Sequence, residues 1–526
     1  MEKKKVKLFS AIALVALALL VVGATYAYFQ NQYGSASNAD VKVTTYTTDV
    51  LTFETGDAIN ISADQEKFAQ GKGNQTGSTF ARATLQANNK TNTATANYYM
   101  YLNIENNSFT YTKTGTPELI LQVVDKTSGN PVTSITGLDY VTVTDGKNTS
   151  ISGFDITTKK GLIALFSNKE ISASPKTVEE YTITITLVNH NFDQNNNTGK
   201  NLNGKLMIQK EKVPSNIADV AKNGDNLVTA LETLGAKGNL SLTGLYHHDA
   251  SLTNGAGDNS YRFAGANPNN YVCFGSDEVT CPNENLYRII GVIDGKVKLI
   301  HADGATTTML GTDEGYVKTY QAAFGSDSSY YKGNGDLTKI GTYKWNKSGT
   351  NTWSSSTTNT TNLNTNYLTY LDSKNTKWKT MIDDTTWYVG GMTKANGYNS
   401  NAKTAYNYEV GANKDGTTVN AKIGLMYVSD YGFAAAPSAW TTILYNYDDA
   451  TIINENWLYI GLCELTISRR SDDSNLAFAV RDAGDLGGGA VDSSYGSAAR
   501  PTFNLSSSVK FVSGEGTAVN PIRIKL

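Results

Sequence analysis

The chain has 526 residues, of which 40% are hydrophobic and only 18% charged, with a formal net charge of −3. Length suggests roughly three domains, and the charge balance leaves no footprint for nucleic acid or an anionic surface as partner. Charged residues fall below the roughly 25% usual for soluble domains. Asn, Thr and Ser fill the gap together with 47 Gly and 31 Tyr, a mixture that fits strand-rich secreted proteins. The four histidines, His190, His247, His248 and His301, read as two scattered surface residues and one exposed pair. Neighbours on a strand point to opposite faces, so the pair is a poor metal site.

At the N-terminus, Lys3, Lys4, Lys5 and Lys7 precede an uncharged apolar run, Phe9 to Val22, and then small residues up to Ala27. This is the order of a secretory signal, with cleavage after Ala27. Counting on to Phe29, the run also reaches the roughly 20 residues that span a bilayer, so residues 1–29 are either a signal peptide or a retained anchor. Either way all later residues lie outside the cell, and membrane contact is confined to residues 7–29. The stretch GATYAYFQNQ resembles the signal peptides of the camelysin and TasA-like exported proteins of Gram-positive bacteria. That resemblance implies export and subunits that form matrix fibres.

Residues 33–212 alternate apolar and polar positions in several short runs. Asp40 to Tyr46, Tyr98 to Ile104, Glu118 to Val124, Tyr181 to Val188 and Leu202 to Gln209 are the clearest. Polar turns separate them at 128–130, 144–148 and 193–201. The pattern predicts an antiparallel β-sandwich with one apolar face inward, and it resembles the TasA-like sandwich. Residues 33–40 form a loose segment able to donate a strand to an exposed edge.

Between 213 and 245 the period changes. Ile217, Val220 and Ala221, then Leu227, Val228, Leu231 and Leu234, recur at helical spacing. Ser215 is the candidate N-cap, and Gly224 breaks or kinks the run. A helical linker is expected, followed by a glycine-rich flexible join to residue 257.

Residues 246–526 form the C-terminal domain. Leu286 to Val292 and Lys296 to Ile300 predict two strands joined by Asp294–Gly295, a hairpin turn signal. Cys273 and Cys281 flank an acidic loop, and in an exported protein that spacing reads as a disulfide. Cys463 sits in an apolar run and reads as a small buried hydrophobe. Leu363 to Ile382 predicts an amphipathic helix. Trp378 and Trp387 read as packing. Trp345 and Trp353 are open to two readings, packing or a contact surface for a glycan or protein.

Near the end, WLYIGLCELTISRRS and ARPTFNL flank a glycine-rich stretch, Asp482 to Gly489. This predicts buried strands joined by a surface loop. The loop from Arg481 to Ala498 is polar and can vary at little cost to the core, so Arg481, Asp482, Asp485, Asp492 and Tyr495 join Trp345 and Trp353 as candidate ligand-binding residues. Arg469, Arg470 and Arg500 are expected to pair with nearby Asp. Acidic loops such as Asp303/Asp313/Glu314, Asp383/Asp384 and Asp472/Asp473 suit Ca²⁺, but none has the spacing of a known calcium loop, and solvated turns explain most of them. A bound Ca²⁺ is the minor reading, and no other cofactor is expected.

Five stretches, from Asn270 to Val292, Ile423 to Ala435, Glu455 to Ser471, Ala499 to Val509 and Gly514 to Leu526, resemble surface proteins of Gram-positive gut bacteria. The last three are similar to the closing strands of the C-type-lectin-like superfamily, which includes the formylglycine-generating-enzyme fold. YIGL at Tyr459 to Leu462 resembles its WIGL signature. The EPN or QPD loop and the WND of calcium-dependent sugar sites are missing; Pro282, Asn283, Glu284 and Asn285 hold similar residues in another order. The cysteines do not form the enzyme's reactive pair. The expected fold is mainly β with minor α: an N-terminal antiparallel β-sandwich plus a C-terminal α+β C-type-lectin-like domain. The expected function is non-enzymatic: an exported cell-surface protein for adhesion or ligand display, its partner a glycan or a host or neighbouring surface protein. The alternative is a structural fibre, matrix or pilus-like subunit that self-assembles.

Overall fold

The computed structural model describes residues 49–63, 72–88, 93–325 and 329–526. The leader at 1–29, the donor segment 33–40 and the strand expected at 40–46 lie outside the described residues. The chain divides between Lys212 and Val213 into two compact units, and it is mainly β with minor α.

Among the described residues the first unit contains ten strands. They are β1 (Val50–Thr55), β2 (Ile59–Ser62), β3 (Gln75–Gln86), β4 (Ala94–Asn107), β5 (Leu119–Asp125), β6 (Tyr140–Thr144), β7 (Ser150–Asp155), β8 (Gly161–Ala173), β9 (Lys176–Leu187) and β10 (Asn201–Gln209). One sheet has the order β1-β3-β9-β5-β7-β6 and the other β2-β10-β4-β8. Every pairing is antiparallel. The period-2 pattern positions the core. Ile183, Ile185 and Leu187 on β9 are fully buried, as are Leu102 on β4 and Leu121 on β5. Residues from both sheets share one cluster, which makes the unit a β-sandwich, as the alternation predicts. On β3, Arg82 pairs with Glu54 and with Glu180, which also takes Lys126 at 2.5 Å.

The second unit opens at Val213, so the expected linker belongs to it. Its helix spans Leu227–Lys237 and is capped by Asn226, which accepts from Thr229 N at 3.2 Å, rather than by Ser215. The reason is Gly224, at φ 98°, a conformation open to glycine that separates this helix from the 3₁₀ turn Ile217–Asp219. Leu227, Leu231 and Leu234 enter the unit's main core. The segment is tied to the end of the chain: Leu227 N donates to Val509 O, Phe511 N to Asp225 O and Gly224 N to Phe511 O.

The strands that follow are β11 (Leu245–His248), β12 (Ser260–Phe263), β13 (Tyr271–Cys273), β14 (Leu286–Ile293), β15 (Lys296–His301), β16 (Tyr316–Thr319), β17 (Gly341–Tyr343), β18 (Thr385–Tyr388) and β19 (Thr418–Ala421). The closing segment adds β20 (Glu464–Arg469), β21 (Leu476–Val480), β22 (Leu486–Ala490), β23 (Ser497–Ala498), β24 (Thr502–Asn504), β25 (Lys510–Ser513) and β26 (Arg523–Lys525). One sheet runs β11-β12-β14-β15-β24, with β13 also on β14, and another β16-β17-β23-β20-β21-β22. β14 and β15 form the expected hairpin, with Asp294 and Gly295 both at positive φ (51° and 69°), as a tight primed turn requires.

Three local expectations are corrected. The glycine-rich stretch is not all loop: Leu486–Ala490 is a strand paired along its length with β21, held by backbone ladder bonds that need no side chain. The single helix expected over 363–382 is a π-helical run, Thr358–Tyr367, continued by Leu368–Lys374 and then Thr376–Thr380. Asn375 divides the last two by turning extended and capping Lys377 N. The histidines are mostly interior: His190, His248 and His301 are buried. Among the described residues no helix is long and apolar enough to cross a membrane.

Candidate functional site

Among the described residues, cationic side chains are buried at three places in the second unit, and at two of them a carboxylate balances the charge. Arg262 on β12 meets Asp258 at 2.7 Å and Asp430 at 3.5 Å, and Lys298 on β15 meets Asp430 at 2.6 Å. These four side chains line a cleft of about 480 Å³. Burial lowers the Lys298 pKa against the pull of Asp430. Behind them, Glu409 accepts from Val428 N, Ser429 N and Ser468 Oγ, and burial raises its pKa. At the second place, Arg500 faces Glu464 at 3.4 Å, and burial pushes the Glu464 carboxyl up to about 7 although Arg500 opposes the shift.

The third place differs. Arg288 lies in the middle of β14, whose other residues are apolar apart from Tyr287 and Gly291. Its guanidinium is sandwiched between the rings of Tyr271, 4.2 Å from the centroid, and Trp457, at 4.7 Å, a geometry that stabilises a cation through the ring quadrupoles. Its N–H groups go to neutral acceptors. Nε donates to Asn270 Oδ1 (2.7 Å), Nη2 to Asn267 Oδ1 (3.3 Å) and Pro268 O (3.1 Å), and Nη1 to Trp457 O (3.4 Å). Burial lowers its pKa to about 10.

Arg288 lines a cleft of about 530 Å³, within the size range of small-molecule sites. Across it lie His301 and Asp303, at and just past the end of β15, and the segment 332–336. Asp303 is held by Gly304 N, Gly335 N and the Tyr331 hydroxyl, at 2.6–2.7 Å. His301 Nδ1 and Nε2 each face a main-chain carbonyl, Asp303 O at 2.6 Å and Glu284 O at 3.0 Å. A neutral ring donates to only one of them, and burial lowers the ring's pKa. At the mouth, Lys332 reaches Asn454 Oδ1 (2.8 Å) and lies over the Tyr459 ring.

The residues expected to bind ligand are placed elsewhere. Trp345 and Trp353 are 2% and 1% exposed, with ring centroids 4.8 Å apart in the core, and Trp345 Nε1 donates to Thr466 O. Packing is their role, because large rings fill the space that the small sheets leave. Trp378 and Trp387 are buried as expected. Arg481 pairs with Asp485 at 3.0 Å across the β21–β22 turn. Asp482 Oδ1 accepts from Ala483 N, and its carbonyl accepts the Tyr459 hydroxyl. Asp492 and Tyr495 are exposed. The structure brings Arg481 and Tyr495 together with Trp345, Cys463 and the glycines of β22 around a smaller groove of about 250 Å³. Asp482, Asp485, Asp492 and Trp353 are not part of its lining. Cys463 is half-buried against Ser497, and burial raises its thiol pKa.

Cys273 and Cys281 are disulfide-bonded. Arg469 and Arg470 pair with Asp415 and Asp472 as expected, whereas the partner of Arg500 is Glu464. Among the described residues no group of three or more His, Cys, Asp or Glu is arranged to hold a metal ion. Sequence reasoning passed over Arg288, Tyr271, Trp457 and Lys332. The signal for the first was present: an arginine inside the otherwise buried strand LYRIIGVI needs a reason to be there.

Fold and cleft together define a mainly β protein with a disulfide-bearing second unit and a cleft of about 530 Å³ beside a buried arginine. Comparison with protein-family models, with curated proteins and with solved structures returns no match.

Proposed function

We propose that the chain is an exported bacterial surface protein whose C-terminal unit binds a ligand, in adhesion or ligand display, with the β-sandwich as the module that carries it. The observation that carries this reading is the cleft of about 530 Å³, which combines a buried cation on β14 with amide side chains and aromatic rings drawn mostly from the segments around the sheet. Export is supported by the basic, apolar, small-residue order of residues 1–27 and by the disulfide, a feature of oxidising compartments. The resemblance of the closing strands to the C-type-lectin-like superfamily points to glycans or neighbouring surface proteins as ligands, through a site other than a calcium loop.

Two measurements test this reading. Fractionation should find the protein at the cell surface, and the purified full chain should bind a subset of an array of glycans and surface proteins. Lys332→Ala, a change at the exposed mouth, should weaken that binding. A cytosolic product, or an array with no bound member, sinks the reading. Uniform fibres in electron micrographs together with a silent array would favour the structural-subunit alternative.

A further inference from the structure

Three arginines of the second unit are buried to 6% exposure or less, namely Arg262, Arg288 and Arg500. Arg262 and Arg500 each face a carboxylate, and Arg288, among the described residues, has none within 4 Å. A buried cation without a counter-charge is unfavourable unless something else compensates it. Four of its five N–H groups are used on neutral acceptors, which leaves one on Nη1.

The other charges lining the cleft are already engaged. Asp336 pairs with Lys339 at 3.4 Å and Glu284 with Lys374 at 3.5 Å. Asp303 is held by two main-chain N–H groups and a tyrosine hydroxyl, so its oxygens are already oriented within the protein although its charge remains. Lys332 has an amide partner but no carboxylate. Two cations therefore remain available to an anion, one deep and one at the mouth. Around them stand four exposed asparagines, Asn267, Asn283, Asn334 and Asn454. A primary amide offers both donors and an acceptor, which matches hydroxyl groups better than it matches apolar side chains.

We infer that the cleft takes an acidic saccharide, whose carboxylate supplies the counter-charge missing at Arg288 and whose hydroxyls meet the asparagine mouth. The inference rests on the ligand-binding reading of the same cleft and adds the chemistry of the ligand. Charge-assisted hydrogen bonds are the stronger kind, so Arg288 sets the preference for acid over neutral sugar and Lys332 adds to it.

The test uses the full chain, with D-glucuronate, N-acetylneuraminate, D-glucose and the dipeptide Gly-Gly as probes in saturation-transfer NMR and titration. An acidic sugar should bind at least about tenfold more tightly than glucose, the range of a hydrogen bond to a charged group. Arg288→Gln should abolish that preference. Because this side chain is buried, Lys332→Glu at the exposed mouth is the second variant: it should keep the wild-type thermal midpoint and weaken the acidic sugars more than it weakens glucose. Equal affinity for glucose and the acidic sugars overturns the inference while leaving a sugar-binding cleft in place. Gly-Gly binding more tightly than either acidic sugar would assign the cleft to peptide termini and overturn it too. Binding of array members with no response to any acidic sugar removes this ligand class alone, whereas no binding of any array member or probe removes the cleft as a ligand site.

Discussion

Lys298 Nζ donates to Asp430 Oδ2 at 2.6 Å with both side chains almost wholly buried, and the same carboxylate faces Arg262. Removing the acid strands Lys298 in the interior, whereas Arg262 keeps Asp258 at 2.7 Å. Asp430→Asn should therefore destabilise the second unit by about 3–5 kcal/mol, measured by urea unfolding. Adding Lys298→Met should recover part of the loss, because the stranded charge is then gone.

The hairpin disulfide contributes through the unfolded state. Cys273→Ser with Cys281→Ser opens a loop closed across eight positions and should cost about 2–3 kcal/mol in the chain-entropy model. Thermal unfolding with and without reductant checks this: reductant should lower the wild-type midpoint and leave the double variant unmoved.

Gly291 marks a register shift in β14, and a Cβ there would stand 2.1 Å from Tyr261 O on the neighbouring strand. That contact is with backbone, which cannot swing aside. Gly291→Ala should force β12 and β14 apart and destabilise by more than about 3 kcal/mol, beyond the range of ordinary substitutions. Urea unfolding reads the loss, and hydrogen exchange at Arg262 and Val292 should rise.

His248 is buried with its Nδ1 accepting from Ala256 N. Burial, assisted by Arg262 and His247 and opposed by Asp258, lowers its pKa from 6.5 to about 3. The folded state thus binds fewer protons than the unfolded state between these values. The His248 contribution is fully present above about pH 6.5 and is lost as pH falls towards 3, at about 1.4 kcal/mol per pH unit. His248→Gln should flatten the dependence of the second unit's melting temperature on pH in that window. Glu464, raised to about 7, has the opposite slope between its ordinary value of 4.5 and that pH, so the comparison must be made variant against wild type.

Trp345 and Trp353 provide a direct test of their placement. Either one changed to Ala should cost about 3–5 kcal/mol through the cavity left behind, measured by denaturant unfolding. Tyr495→Ala, at 58% exposure, should leave stability within about 0.5 kcal/mol of wild type.

Local signals in the sequence were legible where short-range physics decides the structure. Period-2 alternation located β9 and β10, Asp294–Gly295 marked the β14–β15 hairpin, and the cysteine spacing indicated the disulfide. Long-range packing hid the rest. Nothing local says that the Arg288 guanidinium lies between Tyr271 and Trp457, residues almost two hundred positions apart. Trp345 and Trp353 stand among Asn, Thr and Ser, so composition suggested a surface where tertiary contacts make a core. Leu486–Ala490 contains three glycines in five residues and becomes a strand only because β21 supplies its ladder.

The segment that enters the second unit and the one that leaves it are neighbours: Asn226 bridges Lys510, and Lys525 Nζ reaches Asn223 Oδ1 at 2.7 Å. Mechanical load arriving along the chain at Val213 meets this seam before it reaches the sheet beneath the cleft. A pull on the chain at that point would load the buried Ile217 and then the ladder between residues 223–227 and 509–511. The sheet that carries Arg288 would be spared until that tether had yielded.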